Sequence, residues 1–140
     1  MELKALTADD EDRLERARTW VKGHFTELTE EKYDTLDDKL RVIDAILSQH
    51  WLSADQTAEL QCLGVTFGDA IAQKLMLEWV IVEDEYGRDP AVNWPGTTIL
   101  CHTLTMISKR VEDGEEVDVY DLFESTVERL KELAFSGRYE

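Results

Sequence analysis

The chain has 140 residues, 43% of them apolar and 33% charged, which suits one globular domain with a packed core and argues against extended disorder. Its formal net charge is −16, from 31 acids and 15 bases, and residues 1–54 hold only 13 of those acids against 8 bases, so most of the excess lies beyond residue 54. A surface of that sign repels nucleic-acid phosphates and anionic lipid heads, which excludes direct nucleic-acid binding and leaves room for a basic protein partner.

Taken in chain order, the first element is a helix opened by Thr7, with Asp9 and Asp10 in its first turn, where the helix dipole favours acids. Leu14, Ala17, Val21, Phe25 and Leu28 recur at helical spacing, with Trp20 beside them, and the helix is expected to end near Glu27 and Leu28. A second helix begins near Asp34 or Thr35, carries Leu36, Leu40, Ile43 and Leu47, and stops before Ser53. Ser53-Ala54-Asp55-Gln56 reads as the capping box of a third helix, whose stripe is Leu60, Leu63, Phe67, Ile71 and Leu75. Gly64 and Gly68 share one face of it. A mid-helix glycine costs about 1 kcal/mol relative to alanine, so the pair predicts close approach of another element.

The period then changes. Trp79-Val80-Ile81-Val82 is short, β-branched and aromatic, as a strand should be. A polar stretch from Asp84 to Gly96 holds both prolines and reads as a long loop, followed by a second strand over Thr97–Leu104. Thr105 opens a short helix through Lys109 and Arg110 that stops at Gly114, and Asp118 caps a last helix bearing Leu122, Phe123, Val127, Leu130 and Leu133. The fold expected is α+β, mainly helical, with about five helices packed on a small antiparallel β-hairpin near residues 78–104. It forms a single domain over 1–140: an N-terminal helical pair in 1–52, a helix, hairpin and two helices in 53–135, and a frayed tail in 136–140.

The densest candidate chemistry runs from Glu78 to Pro90. Strand alternation sets Glu83 and Glu85 on one side and Asp84 on the other. Carboxylates this close raise one another's pKa and suit acid–base work or cation binding. The simpler reading is a solvated strand end with Arg88 as a local counter-charge. A calcium loop counted from Asp84 fails, because Tyr86 and Arg88 stand at ligand positions and Pro95 at the twelfth. His24, His50 and His102 share no helical turn and no Cys-x-x-Cys occurs, so no zinc site is expected and no cofactor. Cys62 and Cys101 lie in apolar segments as small hydrophobes, and Cys101 and His102, adjacent on a strand, point to opposite faces and make no nucleophile pair. Lys109 and Arg110 suit either a bound anion or the more ordinary task of offsetting Glu112, Asp113, Glu115 and Glu116. Trp94, ahead of Pro95-Gly96, is an aromatic placed to anchor a ligand or to pack a turn.

Three segments carry a resemblance. Gly64-Val65-Thr66-Phe67-Gly68-Asp69-Ala70, the run from Glu78 to Pro90, and Pro95-Gly96-Thr97 with Met106-Ile107-Ser108-Lys109-Arg110 resemble a bacterial family of domains of unknown function, number 3806, over about residues 50–125. Asp69, Trp79, Asp84, Glu85, Gly87 and Lys109 match its pattern. The resemblance implies a small bacterial domain and brings no catalytic residues. The candidate recognition or ligand residues are therefore Asp69, Asp84, Glu85, Tyr86, Arg88, Asp89, Trp94, His102 and Lys109. The function expected is a non-enzymatic protein-interaction or regulatory module. Two alternatives stay open: an immunity or inhibitor protein against a basic toxin, and a carboxylate-based hydrolase using Glu83–Asp89. No apolar run approaches the roughly 20 residues a membrane helix needs and Met1-Glu2-Leu3-Lys4 has no leader pattern, so cytoplasmic residence is expected. A homodimer through the Gly64/Gly68 face or a strand edge is a further expectation.

Overall fold

The computed structural model of the protein describes residues 2–24 and 33–136. Among them are strands β1 (Glu2–Lys4), β2 (Glu78–Asp84), β3 (Gly87–Asn93) and β4 (Leu100–Cys101), and helices α1 (Ala8–Lys22), α2 (Leu36–Ser48), α3 (Thr57–Leu75), α4 (Met106–Glu112) and α5 (Val119–Ser136). The strands form one antiparallel sheet in the order β1-β2-β3-β4. The expected α+β class is what the chain adopts, with five helices among the described residues packed on a small antiparallel sheet.

Helix starts follow local chemistry. The Thr7 hydroxyl accepts from the Asp10 amide while the Asp10 carboxylate accepts from the Thr7 amide, a complete capping box. Thr35 caps α2 by accepting from Asp38, and Asp118 caps α5 by accepting from Tyr120 and Asp121. One expected start fails. Ser53 gives its hydroxyl to the Asp55 and Gln56 side chains and caps nothing, so α3 begins only at Thr57. Thr105 stands at the N-cap of α4, as expected, but its side chain makes no cap hydrogen bond. Helix α1 closes at Lys22 with Gly23 as its cap; its expected end near Glu27 and Leu28, and the stripe residues Phe25 and Leu28, lie outside the described residues, as do residues 137–140 of the expected frayed tail.

The hairpin differs most from expectation. Asp84 to Gly96 is not a long loop. The chain turns after Asp84 through Glu85 and Tyr86 alone, and Gly87 pairs back with Asp84. Two features force the early turn: the Asp84 carboxylate accepts from the Tyr86 amide at 2.9 Å, and Gly87 takes φ 141°, which an L side chain rarely adopts. Pro90 sits inside β3 opposite Ile81. It is tolerated because β4 pairs with β3 only at Val92 and Asn93, leaving Pro90 on an open edge where no N–H is needed. The expected strand over Thr97–Leu104 shrinks to Leu100–Cys101, and the chain passes through a 3-10 turn, Thr103–Thr105, into α4. β1 is an addition to the expected pair: its three exposed residues extend the sheet against Ile81–Glu83.

Helix α3 is the central element, with α1, α2, α4, α5 and the 3-10 turn packed on it. Leu63, Phe67 and Ile71 are fully buried with Ile43, Ile46, Val92 and Ile107, and Phe67 meets Phe123 edge-on at 6.3 Å. The glycine pair serves the close approach expected of it. A Cβ at Gly64 would overlap the Leu104 carbonyl, and one at Gly68 the Thr103 hydroxyl and the Trp79 ring. The notch is filled from within the chain, so the Gly64/Gly68 face is not open to a second copy. None of the described helices is long and apolar enough to cross a membrane.

Candidate functional site

Asp69 lies one residue past the Gly68 notch and is the hub of the densest polar network. Its carboxylate accepts four hydrogen bonds: from Arg18 Nε at 2.7 Å and Nη2 at 2.9 Å, from the Tyr33 hydroxyl at 2.6 Å, and from Trp79 Nε1 at 2.9 Å. The Tyr33 hydroxyl also meets the Thr66 hydroxyl at 3.1 Å. These side chains come from α1, the residue group ahead of α2, α3 and β2, so one carboxylate ties four parts of the chain together. Burial opposes the charge on Arg18, and the hydrogen bonds and charge of Asp69 more than offset it, holding the guanidinium protonated. Burial, reinforced by the Asp69 charge, pushes the Tyr33 phenol far up, so it stays a neutral donor. The Tyr33 ring lies 5.1 Å from both the Lys22 and the Lys39 ammonium. Burial lowers the pKa of Lys39, partly countered by Asp69 and Asp34, and its ammonium donates to Gln73 at 2.5 Å.

A second network fixes the hairpin. Arg88 donates from Nη1 and Nη2 to the two Asp10 oxygens at 2.6 and 2.7 Å. The bonds from Arg88, then those from Thr7, hold the Asp10 carboxyl well below the usual carboxylate range. Lys4 donates to Glu83 at 2.8 Å and pulls that carboxyl down as well.

The nine sequence-predicted residues divide accordingly. Asp69 is satisfied inside the Arg18–Tyr33–Trp79 network. Arg88 is committed to Asp10 and lies 3.8 Å from Glu83, so it also serves the strand end as a counter-charge. Asp84, Glu85, Tyr86 and Asp89 are brought together at the exposed hairpin tip, with Tyr86 90% exposed. The tip is not near Asp69: Trp79 and Asp84 are five residues apart on β2, roughly 17 Å at strand rise. Trp94 is half-buried in the Trp94–Thr97 turn, edge-on to Phe135 at 6.0 Å, which is turn packing. His102 is not in a strand; it is exposed between β4 and the 3-10 turn, and Lys109 is exposed on α4. Arg110 donates to its own helix at Met106, and neither Lys109 nor Arg110 forms an ion pair with a described residue. Burial pushes the Cys101 thiol up to about 11 and raises Cys62, with Glu59 adding to the latter, so both remain thiols at neutral pH. Among the described residues no group of three His, Cys, Asp or Glu is placed to hold a metal ion.

Sequence reasoning missed Arg18, Tyr33 and Asp10. Two signals were present. Arg18 falls four residues after Leu14, on the apolar stripe of α1, and Asp69 interrupts a buried run from Leu63 to Ile71. A charge in such a position needs a partner.

The model of a family described as a domain of unknown function, DUF3806, matches residues 39–123, more than half of the sequence. The chain belongs to the DUF3806 family. Its matched region runs from α2 into α5 and contains Asp69, Trp79 and the whole hairpin, while the Arg18 and Asp10 partners lie outside it. No curated protein matches the sequence. The fold is similar to a crystal structure from Bacteroides thetaiotaomicron VPI-5482, at 14% identity and a TM-score of 0.76, covering 91% of this chain and 47% of that one. The DUF3806 chain described here therefore spans about half the length of that protein, and the likeness speaks to fold alone.

Proposed function

We propose that this DUF3806 protein is a non-enzymatic interaction module that presents the tip of its β2–β3 hairpin to a protein partner with a basic contact surface. The observation that carries the reading is Tyr86, 90% exposed on a two-residue turn, with Asp84, Glu85 and Asp89 exposed around it. The turn is pinned by Asp84 and braced to α1 through Arg88, so little order is lost when the aromatic is buried by a partner. Tyrosine with flanking charge is a common anchor in interfaces. The hydrolase alternative gains no support, because a carboxylate pair must converge on one reacting atom. Here Glu83 is held by Lys4, Asp84 by the turn, and Glu85 and Asp89 face solvent.

The test places a photo-crosslinking benzoylphenylalanine at Tyr86 in the full chain, with Met76, 84% exposed at the end of α3, as the control position. The expected result is a discrete cross-linked protein at position 86 only, lost on raising salt and in Glu85→Gln/Asp89→Asn. No discrete product at 86, or the same products from 76, overturns the reading.

A further inference from the structure

Between Val111 and Glu124 the sequence holds seven acids and no base. Glu112 accepts from the Thr57 hydroxyl and Asp118 caps α5. Asp113, Glu115 and Glu116 are exposed and form no ion pair with a described residue. They border a groove. Leu47 and Leu52, at the end of α2 and just after it, face Val111 and Val117, at the end of α4 and in the connection to α5, around a concavity of about 360 Å³. Glu115 and Glu116 stand on its rim. His50 also lines it and holds a left-handed backbone at φ 54°, which turns the chain so that Leu47 and Leu52 lie on one wall.

We propose that this groove takes a lysine- and arginine-rich peptide segment whose apolar side chains anchor in the floor between Leu47, Leu52, Val111 and Val117. The four aliphatic side chains favour an apolar anchor, with Ser48 and His50 lining the same groove beside them. The rim selects the flanks: two glutamates that form no ion pair with a described residue, Asp113 beside them and a net charge of −16 attract a basic segment and repel an acidic one. The same charge opposes a second copy of this chain as occupant. This surface is distinct from the hairpin tip, and the proposal stands whether or not the tip binds a partner.

The experiment is fluorescence anisotropy on the full chain with a fluorescein-labelled Lys-Lys-Leu-Lys-Lys-Ile-Lys-Lys peptide at low salt, and with the same peptide carrying serine for leucine and isoleucine. Saturable binding is expected for the first peptide. Glu115→Gln/Glu116→Gln is expected to weaken it about tenfold, the serine peptide to bind at least tenfold more weakly, and Glu85→Gln/Asp89→Asn, an equal charge change at the hairpin, to alter it by less than about twofold. Absence of saturable binding, equal tightness of the serine peptide, or an equal loss from the hairpin variant overturns the proposal. The last outcome reduces the attraction to net charge alone. Binding that survives the hairpin change while Tyr86 captures nothing separates the two surfaces.

Discussion

Replacing Asp69 by asparagine tests the central network with almost no change of shape. The asparagine retains one acceptor oxygen but places an amide where the Arg18 guanidinium expects a carboxylate, so a cation is left facing donors. The Asp69 and Arg18 side chains are 13% and 23% exposed, between two well-separated regimes. Exposed ion pairs contribute about 0–1 kcal/mol, and breaking a buried pair costs about 3–5 kcal/mol. Two further donors, Tyr33 and Trp79, lose a charged acceptor, each such bond contributing about 1.5–3 kcal/mol but not additively. The expected loss is about 2–4 kcal/mol, a large part of the roughly 5–15 kcal/mol that holds a domain folded. Urea titration followed by far-UV circular dichroism measures it. A double-mutant cycle with Arg18→Met gives the pairwise part, expected to be about 1.5 kcal/mol or more, so Arg18→Met/Asp69→Asn is expected to be less destabilised than the sum of the two single variants. If Asp69→Asn unfolds within about 1 kcal/mol of the parent, or the cycle shows no coupling, the account of Asp69 as the tie between α1, α3 and β2 is wrong.

Two other outcomes follow from the same packing. Gly64→Ala is expected to cost about 3 kcal/mol or more, because the new methyl overlaps the Leu104 backbone carbonyl and backbone yields less readily than a side chain; a melting temperature equal to the parent's would contradict the notch. Asp10→Asn is expected to cost about 1–2 kcal/mol at neutral pH, discounted because Arg88 is 40% exposed. The Asp10 carboxyl is depressed in the folded state, so its contribution is present above the unfolded value near 4 and fades as pH falls through the folded one. The gap between parent and variant in urea titrations should therefore narrow below about pH 4 and not above it.

What could be read from the sequence was what depends on neighbours in the chain. The Thr7 cap, the apolar stripe of α3, the Gly64/Gly68 approach and the strand at Trp79 all follow from residues within one or two turns of each other. The hairpin failed for a local reason of a different kind. Pro90 and Gly96 suggest a loop, and only the pairing partners show that Pro90 falls on an open edge and that Gly87, not Gly96, closes the turn. β1 was hidden because three residues with no buried face have no pattern to detect. The candidate site divided along the same line. Asp84, Glu85, Tyr86 and Asp89 cohere because they adjoin in sequence. Asp69 and Arg88 were set among them although their partners lie 51 and 78 residues away, a separation that no spacing rule reports.

Those two distant pairs bear on how the tip is held. Asp10 and Arg18 both belong to α1 and lie two turns apart. Through them one helix is fastened at its start to β3, beside the tip, and further along to the middle of α3. Arg88 is two residues from Tyr86, so the brace acts almost at the point where the proposed contact is made. A hairpin of two strands alone is marginal in water, and an anchor on a mobile turn would surrender part of its binding energy to being ordered. The Asp10 carboxylate thus serves the helix as a cap and the hairpin as a clamp. On the proposed reading, Asp10→Asn should weaken capture at position 86 while Asp84, Glu85 and Asp89 of the tip are unchanged. Tyr86→Ala should abolish the contact and leave the urea midpoint where it was, because a side chain 90% exposed holds nothing in the fold.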